Sequence, residues 1–143
     1  MIQSIARALW LLGRINDYVF GYDFFVSYSW ADGREYAVAL VKRLQDQGFE
    51  CFLDSSDYAK GDNWRDQGRR ALRKTSRLIL VGTVSALTSE PVQNELAIFS
   101  RLERRILPID FDGSLANAAT DSPVRRHLSP DTLYIKEPAE SLQ

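Results

Sequence analysis

The residue that most invites a chemical role is Glu95. At about 3.6 residues per turn, Pro91, Val92, Leu96, Ile98, Phe99 and Leu102 share one apolar face of a helix that starts near Ser89. Glu90, Gln93, Asn94, Ser100, Arg101 and Arg104 fall on the opposite side, yet Glu95 projects from the middle of the apolar face. A carboxylate without a partner is costly to bury, so this one must be paired, protonated or open to a cleft. In an α/β sheet the first turns of each helix lie beside the carboxyl ends of the strands, so Glu95, in the second turn, is expected at the crevice rim. Two readings stand side by side: a carboxylate that pairs with an arginine or caps a neighbouring loop, and a functional one.

A second cluster follows the apolar run Phe24-Phe25-Val26. There Ser27-Tyr28-Ser29-Trp30-Ala31-Asp32-Gly33 crowds small hydroxyls, two large aromatics, an acid and a glycine at the end of a short strand. Ligands bind at such strand ends in α/β sheets. Other chemistries find little to stand on. His127 is the only histidine and lies in a polar late stretch, so neither a histidine-based metal site nor a Ser/His triad is supported and no metal is expected. Cys51 is the only cysteine, which precludes an internal disulfide and suits a reducing cytosol; set in an apolar run, it reads as a small buried hydrophobe rather than a nucleophile. No glycine-rich phosphate loop follows the first strand. A net charge of −1 offers no electrostatic reason to expect nucleic acid. The densest basic stretch, Arg65 to Arg77, has helical spacing and reads as a solvated face, with a local anion contact left open.

The elements that must position these residues are legible in order. Residues 2–20 carry Ile2, Ile5, Leu9, Leu12, Ile15 and Val19 at amphipathic helical spacing, too polar to span a bilayer. This helix is expected to pack on the domain or on a second copy. The central strand ends near Ser29. Asp32 with Glu35 has the form of a capping box for a helix burying Ala37, Leu40, Val41 and Leu44 and stopping at Gly48. Phe49 to Leu53 forms the second strand, ending in Asp54. After a polar loop, Asp62 or Asn63 caps a helix with Trp64, Gly68, Ala71, Leu72 and Thr75 on one face. Arg77 to Gly82 is a buried strand, and Arg105 to Asp110 is another, with Pro108 suggesting an edge or a bulge. A short helix is expected around Val124 to Leu128 and a last strand at Thr132 to Ile135. Strands alternating with helices imply an α/β domain: a flavodoxin-like three-layer sandwich with a five-stranded parallel sheet of order 2-1-3-4-5 and an extra N-terminal helix. The domain is expected over 22–136, with 1–21 the added helix and 137–143 a tail or the start of a linker.

Four stretches, in order and at the right spacing, carry a resemblance. Tyr22-Asp23-Phe24-Phe25-Val26-Ser27-Tyr28-Ser29 resembles the first signature of the Toll/interleukin-1 receptor (TIR) domain family. The Asp54 to Asn63 loop is similar to its second, Ser89 to Phe99 to its catalytic-helix region, and Ile106-Leu107-Pro108-Ile109 to its fourth strand. The match covers roughly residues 22–136. Some TIR domains are adaptors that signal by self-association, while others, prokaryotic types among them, cleave NAD at the nicotinamide–ribose bond with a glutamate early in the helix after the third strand. Glu95 occupies that place.

The resemblance thus implies an NAD glycohydrolase giving nicotinamide and ADP-ribose or a cyclic ADP-ribose variant. NAD is its substrate, no further cofactor is needed, and the setting is immune, antiphage or cell-death signalling in the cytoplasm. Glu95 is the catalytic residue. Tyr28, Ser29 and Trp30 form the floor and one wall of the pocket, and Asp54 and Trp64 border the other side. A packing role for Tyr28 and a core-anchor role for Trp64 stay open. The enzymatic pattern often has an aromatic one turn before the glutamate, where this chain has Pro91; Trp30 or Trp64 could supply the ring. The Asp54 to Asn63 loop, with Tyr58 and Gly61, is expected to contact a second TIR domain, in a homo-oligomer or filament, and to complete the pocket. The alternative is a TIR module that only binds other TIR domains. A phosphoacceptor receiver of the same topology is disfavoured because its acidic pair and lysine are not evident.

Overall fold

The structure, a computed structural model, describes residues 21–54 and 62–143, with residues 62–65 described by their backbone alone. The expected N-terminal helix and the loop residues Tyr58 and Gly61 therefore lie outside the described residues, as does the side chain of Trp64.

The apolar run Phe24-Phe25-Val26 builds β1 (Tyr22–Ser27), which leads to α1 (Arg34–Asp46). β2 (Cys51–Leu53) and α2 (Asp62–Arg73) follow. β3 (Thr75–Gly82) passes through a 3-10 turn, Ser85–Thr88, into α3 (Glu90–Ser100). β4 (Arg105–Phe111), a short 3-10 turn at Arg125–His127 and β5 (Ile135–Glu137) complete the sheet. The order is β2-β1-β3-β4-β5, with every pairing parallel. This is the expected flavodoxin-like α/β arrangement, with β1 and β3 inside the sheet and buried on both faces.

Strand parity divides the core in two. On one face Phe25, Leu78 and Leu80 pack with Ala71 and Leu72 of α2, with Val92, Leu96 and Phe99 of α3, and with Leu115, Val124 and Leu128 of the later loops. On the other face Phe24, Val26, Ile79, Val81, Ile109 and Phe111 pack with Ala37 and Val41 of α1. The helix α3 is thus tied to the odd-numbered side of β1, the side that also carries Ser27. Close packing demands a glycine at the end of β3: a Cβ on Gly82 would lie 2.3 Å from Leu115 Cδ1 and 2.5 Å from the Ile109 carbonyl oxygen. α1 ends as expected, with Gly48 at a positive φ of 90°.

Three local expectations are corrected. Asp32 does not cap α1; Gly33 is the cap residue and no side chain caps the helix. Asp32 is drawn instead to the β3–α3 loop, where it accepts hydrogen bonds from the Thr83 hydroxyl at 2.5 Å and the Ser85 N–H at 3.0 Å. Pro108 lies in an inner strand opposite Leu80. It is tolerated because the β5 ladder begins only at Ile109, so at Pro108 one side of β4 is still unpaired. The last strand lies at Ile135–Glu137 rather than Thr132 to Ile135, set by its register against Ile109–Phe111. Beyond the start of β5, two contacts involve the last residues. The Glu137 carbonyl accepts the Asp112 N–H at 3.0 Å, and Leu142, in a 3-10 turn at Ala139–Leu142, lies against the α1 side of the core.

Candidate active site

The Glu95 side chain leaves α3 on its buried face, as the helical spacing requires, and is only 9% exposed. The Ser27 hydroxyl, fully buried at the end of β1, donates to Glu95 Oε2. The Asp54 carboxyl, which follows β2, lines the same cavity as Glu95 and acts on it electrostatically. Burial, and then the Asp54 carboxyl, push the Glu95 carboxyl well above the usual carboxylate range, and the Ser27 hydroxyl only partly offsets this. Of the two readings, pairing with an arginine is not observed: among the described residues no cation is a cause of the Glu95 shift.

Glu95 and Asp54 open onto a cavity of about 190 Å³. Phe25 and Leu72 give it an apolar base, Gly68 leaves room beside Asp54, and Pro91 and Ile98 form part of the α3 wall. At its mouth stand the exposed side chains of Arg69 from α2 and Glu90 and Asn94 from α3. A Cβ on Gly68 would meet Asp54 Oδ2 at 3.5 Å, an ordinary contact, so the space at this point exists because the residue is glycine.

Tyr28, Ser29 and Trp30 do not line this cavity. They border a neighbouring hollow of about 420 Å³ with Ala31, Ser85, Thr88 and Ser89, and the two spaces meet at Glu90 and Pro91. For Tyr28 parity explains the separation, because it packs with Val26 on the α1 side whereas Ser27 faces α3; Ser29 and Trp30 lie beyond the end of β1. Tyr28 remains within electrical reach of the pair. Its phenol is raised first by burial and next by Asp54, Arg34 and a Trp30 hydrogen bond oppose this, and Glu95 adds a smaller increase. Trp30 is exposed, and the Arg34 guanidinium lies 4.6 Å from its ring centre. Pro91 occupies the partition between the two spaces, where an aromatic was expected from the resemblance, and Trp30 stands on the far side of it. Of the expected site residues, then, Glu95 and Asp54 come together, Tyr28, Ser29 and Trp30 form an adjoining group, and the side chain of Trp64 is not described.

Ser27 was missed by sequence reasoning, although a signal existed. It follows Phe25 by two in a strand, so it had to share that residue's face, the one covered by α3. Gly68 and Arg69 carried no such signal, because their place follows from how α2 packs beside Asp54. Asn94 and Glu90, assigned to the polar side of α3, reach the cavity mouth because it opens at the border between the two helix faces.

The TIR domain family profile matches residues 24–135. No curated protein shows a significant similarity to the chain. Similar solved structures include the TIR domains of the activated Roq1 resistosome directly recognising the pathogen effector XopQ, at 21% identity and a TM-score of 0.56, covering 64% of this chain and 58% of that one. The TIR domain of the Toll-related receptor TRR-2 from Hydra magnipapillata is 22% identical, with a TM-score of 0.58, 80% of this chain and 83% of that one being covered. A metazoan TIR-STING receptor from C. gigas is 22% identical, with a TM-score of 0.55, 74% of this chain covering 36% of the receptor. The chain thus spans less than two thirds of the Roq1 and TIR-STING chains, and likeness at these identities concerns the fold. No helix among the described residues is long and apolar enough to cross a membrane.

Proposed function

The chain belongs to the TIR domain family, and from that premise we propose that it is an NAD nucleosidase with Glu95 as its catalytic carboxylate. The observation that carries this reading is a buried carboxyl, held by Ser27 and without a cationic partner among the described residues, at the base of an open cavity. Such a group is costly to keep unless it serves a ligand.

The chemistry suits a single carboxylate. The nicotinamide of NAD is a cation and leaves without being protonated. The bond from ribose C1′ to the ring nitrogen breaks, its electron pair stays on nicotinamide, and positive charge develops on the ribosyl ring as in glycoside cleavage. Glu95, ionised when that cation is bound, orients the ribose hydroxyls and stabilises the developing charge. Water then adds at C1′ and loses a proton to give ADP-ribose, or a nitrogen of the adenine adds to give a cyclic product. A space of about 190 Å³ holds one ring-sized group, since whole small-ligand sites run to about 300–1,000 Å³. The rest of a dinucleotide must lie beyond the mouth, past Arg69 or over Pro91 towards Tyr28, Ser29 and Trp30.

A second reading, a module acting by TIR–TIR association, is favoured by exposed apolar groups at the carboxyl edge of the sheet. Trp30 is 48% and Val84 71% exposed, on the loops after β1 and β3. The two readings combine if association completes the pocket, in which case specific activity rises with protein concentration. In either, the setting is immune or cell-death signalling, antiphage defence included, in the cytoplasm.

The test is to incubate the purified chain with NAD and resolve the products by chromatography. Release of nicotinamide together with ADP-ribose or a cyclic isomer is expected, with kcat in Glu95→Gln lower by about 100-fold or more. NAD left intact from dilute to concentrated protein favours the association module, and full activity in Glu95→Gln removes that residue from the mechanism.

A further inference from the structure

Asp54 and Glu95 line one cavity as two carboxyls, and ionised carboxylates repel each other and only accept hydrogen bonds. Brought together away from bulk water, the two are eased by a proton on one of them. Its place follows from the surroundings. Glu95 is buried between β1 and α3, while Asp54 is half-buried and borders the cavity. A neutral Glu95 also suits both neighbours at once, its carbonyl oxygen accepting from Ser27 and its acid O–H offering a donor on the side of the Asp54 charge.

The other charged and titratable groups around the pair leave this arrangement standing. Tyr28, at the end of β1, feels both carboxylates. From α2, Arg69 reaches the mouth of the cavity, and α3 contributes Glu90 there. Arg34, at the start of α1, acts on Tyr28 and stacks on Trp30. None of these cations is among the groups that act on Glu95 itself.

We infer that Asp54 is a positioning residue that shares one proton with Glu95, keeping Glu95 neutral in the empty site so that entry of a positively charged ring is what ionises it. The step breaks the Glu95 O–H bond and releases its proton through the open mouth to solvent; the pair passes from one negative charge to two as the cation arrives. The resting site is thereby matched to a pyridinium cation rather than to a neutral ring of the same shape. The identity of that cation rests on the NAD-cleaving reading, whereas the shared proton rests on Asp54, Glu95 and Ser27 alone.

The experiment is infrared difference spectroscopy of the full chain at pH 7, with N-methylnicotinamide in its ring-methylated form, the 1-methylnicotinamidium ion, as a cation that cannot be cleaved and nicotinamide as its neutral counterpart. A protonated-carboxyl absorption is expected in the wild type and absent from Glu95→Gln. N-methylnicotinamide removes it and nicotinamide does not. In Asp54→Asn, which keeps the shape and loses the neighbouring charge, the pH at which the band disappears falls by about one unit or more. Asp54→Ser serves as a second variant should the amide disturb folding, with circular dichroism as the control. The inference is overturned by absence of the band from the wild type at pH 7, by a titration unmoved in both Asp54 variants, by persistence of the band under saturating N-methylnicotinamide, or by its equal loss with nicotinamide. A chain that shows this behaviour yet leaves NAD intact keeps the shared proton and loses the nucleosidase reading.

Discussion

Asp32 and Thr83 join the loop after β1 to the loop after β3 through a hydrogen bond of 2.5 Å from the Thr83 hydroxyl. The same carboxylate takes the Ser85 N–H at 3.0 Å. Ser85 also lines the hollow bordered by Tyr28, Ser29 and Trp30, so Asp32 ties that wall to the loop after β1. Asp32→Ala leaves the fully buried Thr83 hydroxyl and a backbone N–H without their acceptor. Chemical denaturation should show a loss of about 2–3 kcal/mol. Glu35→Ala should cost less than about 1 kcal/mol, because Glu35 contributes only as an acid in the first turn of α1. Equal losses in the two variants would restore the capping box.

The raised Glu95 carboxyl links stability to pH. Its folded-state pKa lies above that of the unfolded chain, so the folded state binds the extra proton. Stability contributed by the neutral acid is fully present below the ordinary carboxyl pKa and is lost as pH rises from there through the raised folded value. Glu95→Gln should flatten this part of the melting-temperature profile and match or exceed the wild type on its alkaline side. A variant whose melting temperature falls with pH as steeply as that of the wild type would assign the slope to other groups.

Two glycines separate space in the site from space in the core. Gly68→Ala meets Asp54 at ordinary contact distance in a helix where alanine is favoured by about 0.5–1 kcal/mol. Stability should hold or rise while, on the nucleosidase reading proposed above, KM for NAD increases, since the added methyl enters the cavity beside Asp54. Gly82→Ala drives a methyl into Leu115 and the Ile109 carbonyl, and expression as a cooperatively folded domain should be lost or severely reduced. A Gly82→Ala protein melting within a degree or two of wild type would refute the packing described for β3 and β4.

Cys51 should be chemically quiet. Burial, with Asp23 and Glu50 nearby, pushes its thiol up to about 11, and the thiolate is the reactive form. Mass spectrometry after brief iodoacetamide treatment at pH 7.5 should find Cys51 unmodified in the folded protein and alkylated once denaturant is added. Rapid alkylation of the native chain would indicate a nucleophilic cysteine.

How far the sequence reached can be seen residue by residue. The misfit of Glu95 on an apolar helix face was legible because helical periodicity is a local rule, and the sheet order followed from alternating strands and helices with right-handed crossovers. The resemblance placed Asp54 beside the Glu95 pocket, but the direct effect of its charge on Glu95 was not legible. Each residue is an ordinary acid in its own segment, and only the stacking of α3 against the odd side of β1, beside the end of β2, brings them together.

Asp32 shows the same limit in reverse. Its local pattern matched a helix cap, but a buried hydroxyl 51 positions away offered the stronger partner. β5 was misplaced because it is a short edge strand whose bounds come from the register of Ile109–Phe111 and not from its own apolar content. By itself, then, the sequence determined the layered α/β architecture, the central strand and the one carboxylate out of place, all set by periodicities within single elements. Tertiary structure alone decided how the Asp54 charge acts on Glu95 and that Tyr28 and Glu95 open onto separate spaces. Those depend on distances between elements and on the burial that only packing creates.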